Sequence, residues 1–268
     1  MSSITLSNVS LQFPLYRDSS RSLKRSLLAA GRAMSRARNI STEGSHAVIK
    51  ALNNISCHID HGERIGLIGT NGAGKSTLLR MLGGIYEPTE GSVEIDGRVN
   101  ALLNIGIGSD LDATGYENIL LRGLYMGLSP AESKKLAPSI AEFTELGDFL
   151  HVPVRTYSTG MAMRLSFAIA TATHPDILLM DEWIMAGDKR FLDKARERVD
   201  SFVSRSQILV LASHSPAILA QWCTRLIWME SGSIVMEGET DAVLKRYEVE
   251  EVPVAPQANP QLMESSAP

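Results

Sequence analysis

Apolar and polar residues alternate from Ile4 to Phe13, and this period of two predicts a β-strand near the start of the chain. A second strand is predicted from Ala51 to Ile59, before the turn at Gly62. The apolar run Ile65–Ile68 predicts a third strand. Ile177–Met180 has the length and composition of a strand buried in a parallel sheet.

The middle of the chain has a different pattern. Asp96-Gly97 is a two-residue turn signal, so the segment from Ser92 to Val99 predicts a β-hairpin. A mostly helical block then runs from about Thr114 to His174. Within it, Ser129 is predicted to cap a helix, because a proline follows at the first helical position.

Strands and helices alternate again after this block. A polar helix is predicted from Asp188 to Arg205, strands from Gln207 to Ala212 and from Arg225 to Glu230, and a short helix after Pro216. Such an alternation, interrupted by a helical block, predicts a parallel α/β core with an inserted helical subdomain. We expect the functional residues at the carboxyl ends of the core strands.

The composition, with 44% hydrophobic and 21% charged residues, is typical of a soluble globular protein. No apolar run approaches the roughly 18 to 20 residues that cross a bilayer, and the N-terminus lacks the features of a signal peptide. We therefore expect the chain to stay in the cytoplasm. Cys57 and Cys223 belong to no Cys/His cluster, so we interpret them as buried or idle thiols.

The net charge of −4 hides a basic segment between Arg17 and Arg38, which has seven basic residues and one acidic residue. Residues 17–45 break the strand pattern and are predicted to be an insertion. One interpretation is a basic amphipathic helix that contacts anionic lipid headgroups or a membrane partner. The other is a solvated helical loop. Nucleic acid is disfavoured, because no aromatic residue follows Tyr16 in the segment to stack on bases.

The spacing G-x-x-x-x-G-K-S lies between the strand Ile65–Ile68 and a helix-like stretch. Its glycines let consecutive N–H groups point into one concavity, which the following helix N-terminus makes more positive. A polyphosphate fits there, with Lys75 reaching the β- and γ-phosphates and the Ser76 hydroxyl helping to hold Mg²⁺. The predicted nucleotide-binding residues of this loop are Gly69, Asn71, Gly72, Ala73, Gly74, Lys75, Ser76 and Thr77.

Three further side chains follow core strands. Asp181 and Glu182 come directly after Ile177–Met180. Asp181 is the natural Mg²⁺ partner, and Glu182 is a candidate general base for an attacking water. His214 follows the next apolar strand and could donate a hydrogen bond to the γ-phosphate. The alternative for Glu182 is a surface or capping carboxylate, and for His214 a histidine without a functional role.

A second candidate anion-binding helix end lies at Tyr157-Ser158-Thr159-Gly160-Met161, before an amphipathic helix-like run. A protein with one phosphate loop has no evident use for it unless a second copy of the chain supplies the nucleotide. The alternative is simply a well-capped helix.

The order of these motifs resembles the nucleotide-binding subunits of ABC transporters over roughly residues 4–245. Within that superfamily, the chain is similar to the ATP-binding subunits of exporters for bacterial surface polysaccharides of the O-antigen, capsule and teichoic-acid types. The features that carry the resemblance are Phe13-Pro14-Leu15-Tyr16, Thr114-Gly115-Tyr116-Glu117-Asn118, Tyr157-Ser158-Thr159-Gly160-Met161 with Arg164-Leu165, and Met180-Asp181-Glu182-Trp183 with Gly187-Asp188.

The resemblance implies an α/β P-loop NTPase fold. Its parts are a parallel-sheet core, an N-terminal antiparallel β subdomain and an inserted helical subdomain at about 106–174. The ATPase domain is expected to span 1–248, and 249–268 is expected to be a disordered tail. An aromatic residue that stacks on adenine is implied near the end of the first strand, where we prefer Tyr16 to Phe13.

The resemblance also implies a head-to-tail homodimer. Each ATP, with its Mg²⁺, lies between the phosphate loop of one chain and Ser158, Thr159 and Gly160 of the other. Hydrolysis drives a pair of integral membrane permease subunits that export a lipid-linked polysaccharide, with this chain at the cytoplasmic face of the inner membrane. Some such exporters carry a C-terminal carbohydrate-binding domain. Because the chain ends soon after Tyr247, we expect the membrane partner or the lipid-linked end to determine selection.

The sequence departs from the family pattern at two places. No glutamine lies between Ser76 and Asp181, where most ABC ATPases place one that touches Mg²⁺, and Asn104 is nearest to that position. The residues Thr159 and Met161 replace the usual second glycine and glutamine of the signature. Both departures bear on how ATP hydrolysis is coupled to transport, and neither affects ATP binding.

Other functions fit parts of this pattern. They are an ABC ATPase that exports a lipid or a drug, a soluble ABC-type regulator that acts on ribosomes or DNA, and a nucleotide-binding module that does not hydrolyse. Two fused phosphate loops or a long basic linker would favour the regulator, and this chain has one loop. Glu182 argues against a module without hydrolysis.

Overall fold

The structure of the chain is a computed structural model that describes residues 1–15, 40–43, 46–103, 109–181 and 189–251. The strands in these ranges are β1 Ser3–Leu15, β2 Ile40–Glu43, β3 His46–Ile59, β4 Arg64–Ile68, β5 Glu90–Asp96, β6 Val99–Leu102, β7 Ile177–Asp181, β8 Ile208–Ala212, β9 Arg225–Glu230 and β10 Ser233–Glu239. The α-helices are α1 Lys75–Leu82, α2 Gly115–Tyr125, α3 Pro130–Thr144, α4 Thr159–Ala170, α5 Lys189–Arg205, α6 Pro216–Trp222 and α7 Thr240–Glu251. Short 3-10 helices lie at Gly147–His151 and Val154–Thr156.

The strands form two sheets. An antiparallel sheet has the order β2-β3-β1-β5, and a six-stranded sheet has the order β10-β9-β4-β8-β7-β6. In the six-stranded sheet, the neighbouring strands β9, β4, β8, β7 and β6 are parallel, and the edge strand β10 lies antiparallel to β9. The predicted fold class is thereby confirmed: an α/β core with an antiparallel β subdomain and a helical subdomain between β6 and β7.

Four of the predicted strands fall inside observed ones. β1 contains Ile4–Phe13, β3 contains Ala51–Ile59, and β4 and β7 contain the two buried apolar runs. Every residue of β8 is buried, as expected for a central parallel strand. The strand β10 and the helix α7, by contrast, were not expected from the sequence pattern.

The predicted hairpin around Asp96-Gly97 is wrong. β5 ends at Asp96 and pairs with β1, whereas β6 pairs with β7 in the other sheet. Gly97 has the left-handed φ of +121° that suits a tight turn. However, Arg98 is bound to Asp176, just before β7: its N–H donates to the Asp176 carboxylate over 2.9 Å, and its carbonyl accepts the Asp176 N–H over 3.0 Å. The turn therefore passes the chain from one sheet to the other.

The helical subdomain contains α2, α3 and α4, and two of its helices begin with a reciprocal cap. The Thr114 and Ser129 side chains each accept an N–H from the third residue of their helix, and the Glu117 and Glu132 side chains return a bond to each cap. Pro130 occupies the first position of α3, which confirms the predicted helix start. Among the described helices, none is long and apolar enough to span a membrane.

Helix α1 packs between the two sheets. Its Leu78 and Leu79 side chains are buried in one apolar cluster with Ile4 and Leu52 of the antiparallel sheet and Ile65 of the parallel sheet. Because α1 and β4 belong to the same cluster, the loop between them is fixed at both ends. This junction is where the predicted phosphate loop lies.

Three sequence predictions fall largely or wholly outside the described residues. The first is the basic insertion, of which residues 17–39 and 44–45 lie outside. The second is the roles of Tyr16, Asn104 and Glu182. The third is the C-terminal tail, which lies outside from residue 252 onwards. Helix α7 includes residues 249–251, the first three of the predicted tail.

Candidate active site

The loop between β4 and α1 turns on three glycines with positive φ: +147° at Gly69, +85° at Gly72 and +105° at Gly74. A Cβ at Gly69 would lie 2.2 Å from the Met229 carbonyl oxygen, and one at Gly74 would lie 2.9 Å from the Ala51 carbonyl oxygen. Larger residues would therefore clash with the backbone that supports the loop. This explains why glycine is needed at these positions.

Lys75 opens α1 and is only 7% exposed. Its Nζ donates to the carbonyl of Gly69 over 2.5 Å and to that of Thr70 over 3.1 Å, so the ammonium group lies across the loop. The N-cap of α1 is Gly74, which provides no side-chain cap, and the first turn contains no acidic residue. The first N–H groups of α1 therefore remain available to an anion, unlike those of the capped helices α2 and α3.

The loop is also supported from the β9–β10 turn. The Gly232 N–H donates to the Ala73 carbonyl over 2.9 Å, and the Gly232 carbonyl accepts the Asn53 N–H over 2.8 Å. One turn thus connects the phosphate loop to β3. The sequence analysis missed Gly232, although the dipeptide Ser231-Gly232 between two strand-like runs was a turn signal.

A cavity of about 690 Å³ opens over the loop. The carboxyl ends of β7 and β8 border it, because Asp181 pairs with Ala212 in register and His214 follows two residues later. Of the predicted site residues, the structure brings together in this cavity Asn71, Gly72, Ala73, Gly74, Lys75, Ser76, Thr77, Asp181 and His214.

The residues of this cavity fit a magnesium nucleotide. The Ser76 hydroxyl and the Asp181 carboxylate are hard oxygen ligands of the kind that Mg²⁺ prefers, and both line the cavity beside the Lys75 ammonium group. The open N-terminus of α1 supplies further donors for phosphate oxygens. Such an arrangement can bind a triphosphate and stabilise the charge that develops during phosphoryl transfer.

Phe13 reaches the same cavity from β1, and its ring packs edge-on against Tyr86 with centroids 5.2 Å apart. The preferred adenine-stacking residue, Tyr16, lies outside the described residues, so the choice between Tyr16 and Phe13 stays a prediction. Ser213 and Ile49 also line the cavity and were missed, because neither a serine nor an apolar strand residue carries a distinctive sequence signal.

Ser158, Thr159 and Gly160 do not line this cavity. All three are exposed at the start of α4, where the Ser158 hydroxyl accepts the Met161 N–H over 3.2 Å. A Cβ at Gly160 would meet no atom within 4 Å, so the backbone there is open to an incoming group. Within one described chain, the two predicted anion-binding ends are therefore separate.

The glycine loop, the carboxylate and the histidine at one edge of a parallel sheet, together with the antiparallel sheet and the helical subdomain, define an ATP-binding cassette. Residues 52–185 match the ABC transporter family model. The chain belongs to this family and is an ABC-type ATPase.

The sequence comparisons give relatives with printed functions. The chain is 43% identical over 237 residues to the O-antigen export system ATP-binding protein RfbE of Yersinia enterocolitica, covering 88% of this chain and 98% of that protein. It is 38% identical to the teichoic acids export ATP-binding protein TagH of Listeria innocua serovar 6a, covering 91% of this chain and 69% of the relative. It is 41% identical to the O-antigen export system ATP-binding protein RfbB of Myxococcus xanthus, covering 75% of this chain and 46% of the relative.

Solved structures support the fold. A dimeric ATP-binding cassette in a post-hydrolysis state with ADP and Pi superposes with a TM-score of 0.62 at 22% identity, over 88% of this chain and 98% of that one. An ATP-binding subunit of an ABC transporter gives a TM-score of 0.65 at 20% identity, over 92% of this chain and 94% of that one.

Proposed function

We propose that this chain is the ATP-hydrolysing subunit of an ABC exporter that moves a lipid-linked surface polysaccharide across the inner membrane. The named relatives export O-antigen or teichoic acids, which are glycans of this class. In this proposal the chain lies at the cytoplasmic face of the membrane and binds a pair of integral membrane permease subunits.

The observation that carries the mechanism is the separation of the two anion-binding ends. The cavity holds the phosphate loop, Asp181 and His214, whereas Ser158–Gly160 is exposed elsewhere on the chain. The site is therefore completed by a second copy, whose Ser158 and Gly160 would contact the γ-phosphate held by the first. ATP then favours the closed dimer, because only that state makes both sets of contacts.

Each residue of the cavity has a role in this mechanism. Lys75 and the first N–H groups of α1 would bind the β- and γ-phosphates, and Ser76 and Asp181 would hold Mg²⁺, which supplies charge neutralisation when bound. His214 would donate to the γ-phosphate and orient the attacking water. Glu182, the residue after Asp181 in the sequence, would accept a proton from that water.

The substitution Glu182→Gln tests this mechanism. We expect it to remove most ATP turnover while ATP still binds, since the amide keeps the side-chain shape and cannot act as a base. ATP should then drive the full-length variant into a stable dimer, measured by size exclusion with light scattering. Glu142→Gln, which replaces an exposed carboxylate of the helical subdomain by its amide, is the control and should turn over like the wild type. Unchanged turnover in Glu182→Gln would contradict the role of this carboxylate.

The exported substrate needs a separate test. In cells that lack the chain, we expect the lipid-linked polysaccharide to accumulate at the inner leaflet and to disappear from the surface. Wild-type chain should restore the surface glycan and Glu182→Gln should not. A normal surface glycan in the deletion strain, with an altered lipid or drug efflux, would favour a different exported substrate.

A further inference from the structure

The segment Thr114-Gly115-Tyr116-Glu117-Asn118 begins α2, and three of its five residues take no part in the helix cap. The cap itself uses two residues: the Thr114 hydroxyl accepts the Glu117 N–H over 3.2 Å, and the Glu117 carboxylate accepts the Thr114 N–H over 2.7 Å. Gly115, Tyr116 and Asn118 are not needed to start a helix.

Gly115 and Tyr116 pack against residues 150–157, which lead to Ser158. A Cβ at Gly115 would lie 2.6 Å from the phenol oxygen of Tyr157 and 2.8 Å from a methyl group of Leu150. The Tyr116 ring contacts the ring of His151 at a centroid distance of 4.9 Å. The first turn of α2 therefore lies directly on this segment, and the absent Cβ at Gly115 makes the close approach possible.

Asn118 is fully buried, with 0% exposure. Its Oδ1 accepts the Asp110 N–H over 2.8 Å, and its Nδ2 donates to the Asp110 carbonyl over 2.8 Å and to the Thr114 carbonyl over 3.0 Å. One side chain thus holds both ends of the loop 110–114. Removing it would take these side-chain partners from the Asp110 N–H and carbonyl, and the loop would lose its connection to α2.

The loop 110–114 is in turn bound to the segment before Ser158. The Val154 N–H donates to the Ala113 carbonyl over 2.9 Å, and the Arg155 N–H donates to the Leu111 carbonyl over 2.8 Å. The exposed side chains of Arg155 and Asp112 add an ion pair at 2.5 Å. These bonds join the two segments like neighbouring strands.

Two further bonds extend this connection to Ser158. The Tyr157 N–H donates to the Val154 carbonyl over 2.9 Å, and the Tyr157 hydroxyl donates to the Phe149 carbonyl over 2.6 Å. Ser158 is the next residue and the N-cap of α4. A continuous set of hydrogen bonds therefore runs from the Asn118 amide to the helix end that carries Ser158.

We infer that Asn118 is a positioning residue for Ser158: through the loop 110–114 and the segment 153–157, it fixes the exposed helix end that binds the ATP of the partner subunit. This inference rests on the proposed function of Ser158. Asn118 does not contact the nucleotide cavity, so its loss should weaken closure of the dimer without weakening nucleotide binding to one chain.

The test uses the full-length Glu182→Gln chain as the parent. The ATP concentration for half-maximal dimerisation is measured by light scattering, and binding of a fluorescent ATP analogue is measured at protein concentrations where the chain is monomeric. With Asn118→Ala added, we expect half-maximal dimerisation to require about tenfold more ATP, while the affinity of the monomer changes by less than about twofold.

Thr144→Val is the matched control. Thr144 is also 0% exposed and in the helical subdomain, but its hydroxyl donates only within α3, to the Ala141 carbonyl over 3.0 Å. This variant should lose thermal stability and dimerise like the parent. If Asn118→Ala does not fold, Tyr157→Phe tests the same connection to Ser158, because it removes only the bond to the Phe149 carbonyl. We expect it to raise the ATP concentration for half-maximal dimerisation about threefold.

The outcomes separate the two proposals. A parent that dimerises with ATP, together with folded Asn118→Ala or Tyr157→Phe variants that dimerise equally well, would overturn the positioning role. The positioning role would also be overturned if these variants lost ATP affinity in the monomer and ATP-driven dimerisation to the same extent. A parent that binds ATP and never dimerises would overturn the proposed function itself.

Discussion

At the scale of single residues, the hydrogen bonds of Lys75 indicate its role in binding phosphate. Its buried ammonium group contacts two carbonyl oxygens of its own loop, Gly69 and Thr70, and therefore lies where phosphate oxygens would replace or join those partners. A charged donor held in a partly desolvated site binds an anion more strongly than an exposed one.

We expect Lys75→Ala to weaken ATP binding about 10- to 150-fold, which corresponds to the loss of roughly 1.5 to 3 kcal/mol from charge-assisted hydrogen bonds. The measurement is isothermal titration of the full-length chain with ATP and Mg²⁺. Arg80→Ala removes an exposed cation from the same helix and should change the affinity little. Equal affinities in the two variants would contradict the role of Lys75.

The two thiols give a pH prediction. Burial raises the pKa of Cys223 to about 12 and that of Cys57 to about 11, from 9.0 in an unfolded chain. Above pH 9 the unfolded chain loses thiol protons that the folded chain keeps. The stability that these thiols contribute is therefore complete below pH 9 and is lost as the pH rises toward 11 and 12.

The free energy of unfolding should fall above pH 9 by at most about 1.4 kcal/mol per pH unit for each thiol. Urea unfolding at pH 8 and pH 10.5 measures this, and Cys57→Ala/Cys223→Ala should show a smaller decline than wild type. In the folded chain at pH 8, both thiols should react with a disulfide reagent more slowly than in the unfolded chain. The same decline in both proteins would show that other groups cause the alkaline sensitivity.

At the scale of elements, the β9–β10 turn supports the phosphate loop, although neither Ser231 nor Gly232 lines the cavity. Gly232 has a φ of +81°, and a Cβ there would lie 2.8 Å from the Ala51 carbonyl oxygen. The turn would have to move in a Gly232→Ala variant, and its hydrogen bond to the Ala73 carbonyl would move with it.

We expect Gly232→Ala to lower stability by about 1 to 3 kcal/mol and also to weaken ATP binding several-fold. Gly127→Ala is the control, because Gly127 has a similar φ of +80° and no atom within 4 Å of a Cβ. It should lose stability from the backbone strain alone and bind ATP normally. Thermal unfolding and ATP titration distinguish the two effects, and normal ATP binding in Gly232→Ala would contradict the supporting role of the turn.

The elements also show what the sequence could and could not predict. Buried strands such as β7 and β8 were predictable, because a continuous apolar run of four or five residues is typical of a strand covered on both faces. The capped start of α3 was predictable because the cap is local. The partner of β6 was not. The Asp96-Gly97 signal specifies a turn, whereas the choice of the next sheet depends on Asp176, which lies far along the chain.

The candidate site likewise has parts that the sequence could predict and parts that it could not. The phosphate loop could be located because its spacing, strand and helix are contiguous in sequence. Asp181 and His214 could be placed at one edge because parallel strands end together there. Gly232 and Asn118 act by hydrogen bonds to backbone groups that are distant in sequence or lie in a loop, so a turn signal at Gly232 and a motif at Asn118 did not reveal what these residues support.

At the scale of the whole molecule, the described residues on either side of the basic segment both lie in the antiparallel sheet. Leu15, before the segment, pairs with Ala47, and Ile40, after it, pairs with Ile49. Phe13 and Ile49 line the nucleotide cavity. Leu15 of β1 and Ile40 of β2 therefore both pair with β3 close to the cavity, and β3 also contacts the phosphate loop.

Neutralising Arg21, Lys24 and Arg25 to glutamine should weaken binding of the full chain to vesicles that contain anionic lipid. Each cation near such a surface contributes about 1 kcal/mol, so the loss of three should lower the partition coefficient by up to about 150-fold. The control changes the net charge equally by replacing the exposed residues Lys134, Lys135 and Lys245 with glutamine. Sedimentation with anionic and with zwitterionic vesicles, at low and high salt, measures both variants. A loss specific to the first variant and to anionic vesicles supports a membrane-contacting segment, whereas equal binding by both variants would favour a solvated loop.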